Sequence, residues 1–262
     1  MMIAMDQTFY DRLAQGPVLA DGAMGTELQA RRNFPMGVCF EHLNLVEPDL
    51  VRKVHLDYLE AGAELIETNT YGANRFRLEQ YGLADSVEEI NRSAVELVRG
   101  AQALTGQRVW IAGAVGPLGK TVAPLWPDFQ AEARRVFEEQ IGVLVEAGVD
   151  VIMLETYTSL AEICEAIAAA KAVGDVPVVA QLTFMEDGQT PAGDTPYEVM
   201  KTLGPLGLAA IGANCSVGSE PMLRVVEDMA SHSDGPMCAL PNAGFPSYVD
   251  GRFVYFSSPS YM

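Results

Sequence analysis

Val151-Ile152-Met153-Leu154-Glu155-Thr156 is a short apolar run that stops on a carboxylate. A run of this length, led by two β-branched residues, reads as a strand buried on both faces, the kind a parallel sheet contains. Upstream, Phe129 to Ala147 carries apolar residues at spacings of three and four, which predicts a helix, and Gly148 follows it as a C-cap glycine. Helix, turn and buried strand make half of a βα crossover.

The same rhythm recurs in both directions. Strand candidates are Val18 to Asp21, Leu65 to Thr68, Val109 to Ala114, Val151 to Glu155, Val178 to Leu182, Ala209 to Ala213 and Met237 to Leu240. Helical stretches such as Leu50 to Ala61 and Val87 to Leu104 lie between them, with Gly62 closing the first. No Ser- or Pro-rich linker divides the chain, so one α/β domain over 1–262 is expected, with a (β/α)8 TIM-type barrel as its architecture. Such a barrel has eight strands, and seven are counted here. Beyond Leu240, the stretch from Pro241 to Pro259 reads as a loop leading towards a final helix, and the sequence stops at Met262 before that helix and the eighth strand.

Composition narrows the classes of function. Thirty-five acidic against seventeen basic side chains leave a formal charge of −18, which repels nucleic acid and anionic membrane surfaces. The N-terminal residues lack a cationic region followed by a long apolar stretch, and no apolar run approaches the roughly 18 residues of a membrane span. A cytoplasmic protein is the expectation. Cys39, Cys164, Cys215 and Cys238 show no CxxC spacing, so reduced thiols are expected rather than a disulfide framework.

In βα barrels the reacting groups sit where strands end, so polar residues at those ends are the candidates. Asp21 closes the first strand in Asp21-Gly22-Ala23-Met24-Gly25, where glycines let backbone approach a ligand; an Asp-Gly turn is the plain alternative. Glu67, in Glu67-Thr68-Asn69-Thr70-Tyr71, reads equally as structural or functional. Glu155 ends an otherwise apolar strand and needs a cationic partner, either a substrate ammonium group or a Lys or Arg of the protein. Asn214 and Cys215 end the sixth strand, where a lone cysteine is ordinarily a small hydrophobe. Asn242-Ala243-Gly244 offers backbone amides to a carboxylate or makes a simple turn.

Other chemistries fit less well. His42, His55 and His232 form no HExxH pair. The stretch from Gly113 to Thr121 has the wrong glycine spacing for a phosphate loop, and Pro117 removes an amide donor. No GxSxG elbow is present, and Lys120 and Lys171 fall in a loop and a helix, not at a strand end as a barrel aldolase requires.

Seven segments in order carry a more specific signal: Asp21 to Leu28, Cys39-Phe40-Glu41-His42-Leu43-Asn44-Leu45, Glu67 to Tyr71, Ala112 to Pro117, Glu155-Thr156, Gly212-Ala213-Asn214-Cys215 and Pro241 to Gly244. Together they resemble the homocysteine S-methyltransferase family, including the methyltransferase half of bifunctional homocysteine methyltransferase/methylenetetrahydrofolate reductase proteins and the first module of cobalamin-dependent methionine synthase. The resemblance implies a (β/α)8 barrel in which Zn2+, held by three cysteine thiolates, binds the homocysteine sulfur for attack on an activated methyl group.

Cys215 matches the first thiolate ligand. The other two belong to a Gly-Gly-Cys-Cys-Gly segment that lies beyond Met262, and Cys39, Cys164 and Cys238 match no ligand position, so weak zinc binding and impaired transfer are expected of this chain. An open seam between the first and seventh strands is expected to favour association through their edges. Asp21 and Glu155 match positions that engage the amino acid end of homocysteine, with Gly22 and Ala23 amides for its carboxylate and Asn214 and Asn242 as further substrate-binding residues. Methyl donors in the family include methylated cobalamin, folate, betaine and sulfonium compounds, and a fused or partner reductase domain is a further implied partner. The other reading is a non-catalytic, metal-free relative that still binds an amino acid.

Overall fold

The computed structural model describes residues 7–35, 37–119, 127–244, 247–249, 252–254 and 257–262. It divides into two compact units, Met1–Met153 with Glu165–Val178, and Leu154–Cys164 with Val179–Met262.

In the first unit the strands are β1 (Leu65–Glu67), β2 (Trp110–Val115) and the opening residues of β3 (Val151–Tyr157), in that spatial order. β1 and β2 run parallel, with Leu65 opposite Trp110 and Glu67 opposite Ala112. All of β2 is buried, as expected of a strand covered on both faces. The helix Val87–Thr105 buries Val87, Ile90, Ala94, Val95, Leu97, Val98 and Ala101, the three-and-four spacing that marks an amphipathic face, and stops at Gly106 in the left-handed conformation. Helix Pro48–Glu60 starts on a proline, whose missing N–H costs nothing at that position, and buries Val51, Val54, His55 and Leu59. Val51, Val54 and Leu97 join Leu28 and Leu43 in one apolar cluster.

The predicted first strand is corrected. Val18 to Asp21 forms one parallel bridge, Ala20 to Leu65, and no extended strand. Leu19 lends its carbonyl to the N–H groups of Glu64 and Leu65, yet the residue is 58% exposed, so packing on both faces is missing. The segment is held from its N-terminal side: Arg12 forks onto both oxygens of Glu64 at 2.8 Å and also donates to the carbonyls of Gly16 and Pro17. This pairing raises the guanidinium pKa and lowers that of the carboxyl.

The second unit contains the rest of β3, then β4 (Val178–Leu182) from its second residue, β5 (Ala210–Asn214) and β6 (Met237–Leu240) in that order. β4, β5 and β6 run parallel, with Gln181 opposite Gly212 and Gly212 opposite Cys238. Gly212 is required by close approach, since a Cβ there would lie 1.8 Å from the Cys238 carbonyl oxygen. Helix Pro196–Leu203 opens with a capping box between Thr195 and Glu198. After Leu240 the expected loop towards a helix gives way to an antiparallel hairpin, β7 (Ser247–Val249) with β8 (Arg252–Val254). A tight hairpin needs only local pairing, which helical periodicity does not reveal. No helix among the described residues is long and apolar enough to cross a membrane.

His55 is fully buried, and neither ring nitrogen has a hydrogen-bond partner among the described residues. Burial pushes its pKa down from 6.5 to about 4. The unfolded chain therefore binds the extra proton between these values, so the neutral ring's contribution is complete above pH 6.5 and is lost as pH falls towards 4. About 3 kcal/mol of stability should disappear across this window, the product of the shift and about 1.4 kcal/mol per pH unit. Urea midpoints between pH 4 and 7 are expected to flatten in His55→Leu relative to wild type; identical slopes would show that another group controls the acid limb.

Candidate functional site

The end of β3 turns sharply. Glu155 and Thr156 are half-buried, and Thr156 adopts a left-handed backbone with φ of 62°. That conformation is an outlier for a β-branched residue. It is held by Asn214 at the end of β5: the Thr156 N–H donates to Asn214 Oδ1 at 2.7 Å, and Asn214 Nδ2 donates to Thr156 Oγ1 at 2.8 Å and to Glu155 Oε2 at 3.3 Å. Asn214 is itself buried, and its carbonyl accepts the Thr183 hydroxyl at 3.1 Å. Cys215 and Ser216 follow directly, both left-handed at φ of 64° and 58°. The Cys215 N–H donates to the Leu240 carbonyl and the Asn242 N–H to that of Val217, so the end of β6 is tied to the same turn. The second unit thus brings Glu155, Asn214, Cys215 and Asn242 into one linked set of strand ends.

The first unit carries the other candidates. Asp21 Oδ2 accepts the Glu67 N–H at 3.1 Å, and the Asp21 N–H donates to the Leu65 carbonyl. Gly22 and Ala23 are exposed, and Ala23 is the N-cap residue of helix Met24–Arg31, without a side-chain cap. Exposed amides at a helix start favour a negative group.

Sequence reasoning did not single out Tyr58, which shapes this turn. Its hydroxyl donates to the Ala23 carbonyl at 3.0 Å, and a Cβ on Gly22 would lie 2.9 Å from that hydroxyl. Burial raises the Tyr58 pKa, with the Glu27 and Asp21 carboxylates adding to the effect, so the phenol remains a donor. The only signal was a tyrosine on a predicted helix, and that pattern is ordinary.

The Glu67 to Tyr71 segment divides by role. Thr68, Asn69 and Thr70 are buried and bonded into the protein: Asn69 Nδ2 donates to the Phe40 carbonyl, and Thr70 Oγ1 to that of Ala114. Glu41, in the Cys39-Phe40-Glu41 stretch, accepts the Gly72 N–H at 2.7 Å and so fixes the same loop. The Arg77 guanidinium lies 5.0 Å from the Tyr71 ring centroid, and Arg77 Nε donates to the Pro117 carbonyl. Lys120 and Thr121, at the end of the stretch weighed as a phosphate loop, lie outside the described residues.

The cysteines are chemically distinct. Cys39 is buried, faces Glu41 Oε2 at 3.4 Å, and has its pKa pushed up to about 12 by burial first and by the Glu41 charge second. Cys238 accepts a hydrogen bond from the buried Gln181 side chain at 2.7 Å. Among the described residues, no group of three or more His, Cys, Asp or Glu side chains is placed to hold a metal ion. The described residues by themselves do not fit a three-thiolate zinc site, because Cys215 is the sole match to one and Cys39 is held as a neutral thiol.

The parallel βα architecture with polar strand ends defines an α/β protein, and comparison with known proteins specifies the family. The model of the homocysteine S-methyltransferase family matches residues 18–262. The chain is 30% identical to the methionine synthase of Mycobacterium tuberculosis over 94% of its length, and 31% identical to that of Mycobacterium leprae over 92%. It spans only 22% and 21% of those relatives. Among solved structures, the metallated homocysteine methyltransferase MmuM from Escherichia coli superposes with a TM-score of 0.79 at 25% identity, over 89% of this chain and 86% of that one. The chain belongs to the homocysteine S-methyltransferase family, whose members are methyltransferases.

Thiol reactivity should follow these environments. Cys215 is half-buried on a turn, whereas Cys39 is 7% exposed with a raised pKa. Brief iodoacetamide treatment at pH 8, read by peptide mass spectrometry, is expected to label Cys215 in the folded protein and Cys39 only after denaturation. Equal labelling of the two would contradict the burial described here.

Proposed function

We propose that this chain is a homocysteine S-methyltransferase domain, formed by residues 1–262, that binds homocysteine and directs its sulfur at an external methyl donor. One observation carries the reading: a carboxylate, Glu155, is held by Asn214 and Thr156 at a strand end, on the chain segment immediately tied to the turn that carries Cys215. Family membership over residues 18–262 supports the substrate class.

In this reading the Glu155 carboxylate, half-buried near the end of an apolar strand, accepts the substrate ammonium group through charge-assisted hydrogen bonds. The backbone amides of Gly22 and Ala23, with Asp21 beside them in sequence, are assigned to the amino acid end of the substrate, as the resemblance implies. Asn242 is assigned through its side chain, because its N–H already donates to the Val217 carbonyl.

The substrate sulfur loses its proton and attacks the methyl carbon; the new S–C bond forms as the donor–methyl bond breaks, and that bonding pair leaves with the donor. In the family reading Cys215 would be one thiolate ligand to Zn2+, and the metal, where further ligands completed its site, would favour the thiolate form of the substrate sulfur at neutral pH. The donor is one of methylated cobalamin, a folate, betaine or a sulfonium compound, and a fused or partner reductase domain belongs to the same proposal.

The test is calorimetric titration of the protein with L-homocysteine, followed by methionine formation with each donor class. Loss of the charge in Glu155→Gln is expected to weaken homocysteine binding by about tenfold or more, the scale of a charged hydrogen bond. Unchanged affinity would remove Glu155 from the substrate site. Dialysed wild type is expected to retain little zinc by elemental analysis and Cys215→Ser to lose what remains; zinc held by the variant at the wild-type level would exclude Cys215 as a ligand.

A further inference from the structure

We propose that Asn214 and Thr156 form a strained clamp that positions the Glu155 carboxylate, and that this clamp sets the protein's preference for thiol ligands bearing an ammonium group. The inference rests on the reading of Glu155 as the ammonium acceptor, and assigns Asn214 a positioning role in place of direct substrate contact.

Three observations within the second unit carry it. Thr156, a β-branched residue, sits at φ of 62° where glycine or asparagine would normally be found. Such strain persists only where surrounding contacts over-determine it. Those contacts come from Asn214, which is 5% exposed and whose side chain bonds to Glu155 and Thr156. Both amide hydrogens are committed, one to Thr156 Oγ1 and one to Glu155 Oε2, while Oδ1 accepts the Thr156 N–H. Finally, the Thr156 hydroxyl receives a hydrogen from Asn214 and reaches Glu155 Oε2 at 3.5 Å, so the same carboxylate oxygen faces two donors.

The consequence is geometric. Asn214 is followed directly by the left-handed Cys215 and Ser216, so a displacement of its side chain moves the β3 turn and the β5 turn together. The clamp limits the side-chain torsions of the carboxylate and so favours the fixed position that recognition of an ammonium group needs. A purely structural clamp would affect stability and leave ligand preference untouched. The inference therefore concerns preference, and preference is what the test reads.

The probes are L-homocysteine and 4-mercaptobutanoate, which share the thiol, chain length and carboxylate and differ in the ammonium group. Their dissociation constants are measured by calorimetry on the full protein for wild type, Asn214→Ala, Thr156→Gly, Thr156→Ser and Glu155→Gln. Wild type is expected to prefer homocysteine, and Asn214→Ala to cut the preference by about tenfold or more. Thr156→Gly adopts the left-handed turn without strain but lacks the hydroxyl, so it should keep its thermal midpoint and still lose part of the preference. Thr156→Ser, which keeps the hydroxyl, should retain it. If Asn214→Ala does not fold, Thr156→Gly decides the matter.

A folded Asn214→Ala or Thr156→Gly with wild-type preference, alongside a Glu155→Gln that has lost it, overturns the clamp and leaves the functional reading intact. A Glu155→Gln that keeps wild-type preference, or a wild type with none, overturns the functional reading and the clamp with it.

Discussion

Strands buried on both faces are the constraint on which the rest of this molecule depends. Every residue of β2, β4 and β5 is buried, so these strands admit few polar side chains, since an unbonded polar atom there is costly. Gln181 shows the cost in mid-strand: fully buried, its Nε2 donates to the Cys238 sulfur while its Oε1 has no hydrogen-bond partner among the described residues. Elsewhere polarity is moved to the strand ends, where β3 becomes half-buried at Glu155 and Thr156 and β5 ends on Asn214. The chemistry sits at those ends because the strands exclude it from their middles.

The same constraint explains where the backbone is strained. The non-glycine residues with positive φ among the described residues are Thr156, next to last in β3, and Cys215 and Ser216, directly after β5. Each such residue costs on the order of 1 kcal/mol or more, which a stable fold tolerates when cross-strand bonds hold the turn. Here Asn214 supplies those bonds from a strand that is not adjacent in sequence.

In the first unit, buried amides perform the corresponding structural task. Asn44 donates to the Asn69 and Ile90 carbonyls, Asn91 to those of Ala73 and Val87, and Gln140 to that of Thr70. These bonds tie the loop after β1 to the helix Val87–Thr105 and to the helix Pro127–Ala147. Thr68, Asn69 and Thr70 serve this network, whereas Glu67 and Asp21 meet where the loop leaves the strand.

Much of this was legible in the chain. Apolar runs that stop on a polar residue marked β1 to β6 to within a residue or two, and placed Glu155, Asn214 and Cys215 at or just beyond strand ends, because burial on both faces leaves a continuous apolar signature. Spacings of three and four marked the long helices, and Gly62 and Gly148, both at positive φ, marked two of their ends. The segment from Val18 to Asp21 looked alike in sequence yet formed a single bridge, since pairing depends on a neighbour that composition does not name. Family membership was also readable, from seven short segments in order.

Only the tertiary structure decided which strand-end residues meet. Asn214 and Glu155 are 59 residues apart in the chain, and their contact depends on which strands neighbour one another and in what register. Periodicity reports how each segment faces its surroundings, and a hydrogen bond between segments needs the relative position of both. The left-handed Thr156 follows from that bond and has no signature of its own, since threonine ordinarily avoids this conformation. The sequence alone determined where polar groups emerge from the buried strands; the fold decided which of them hold one another in place.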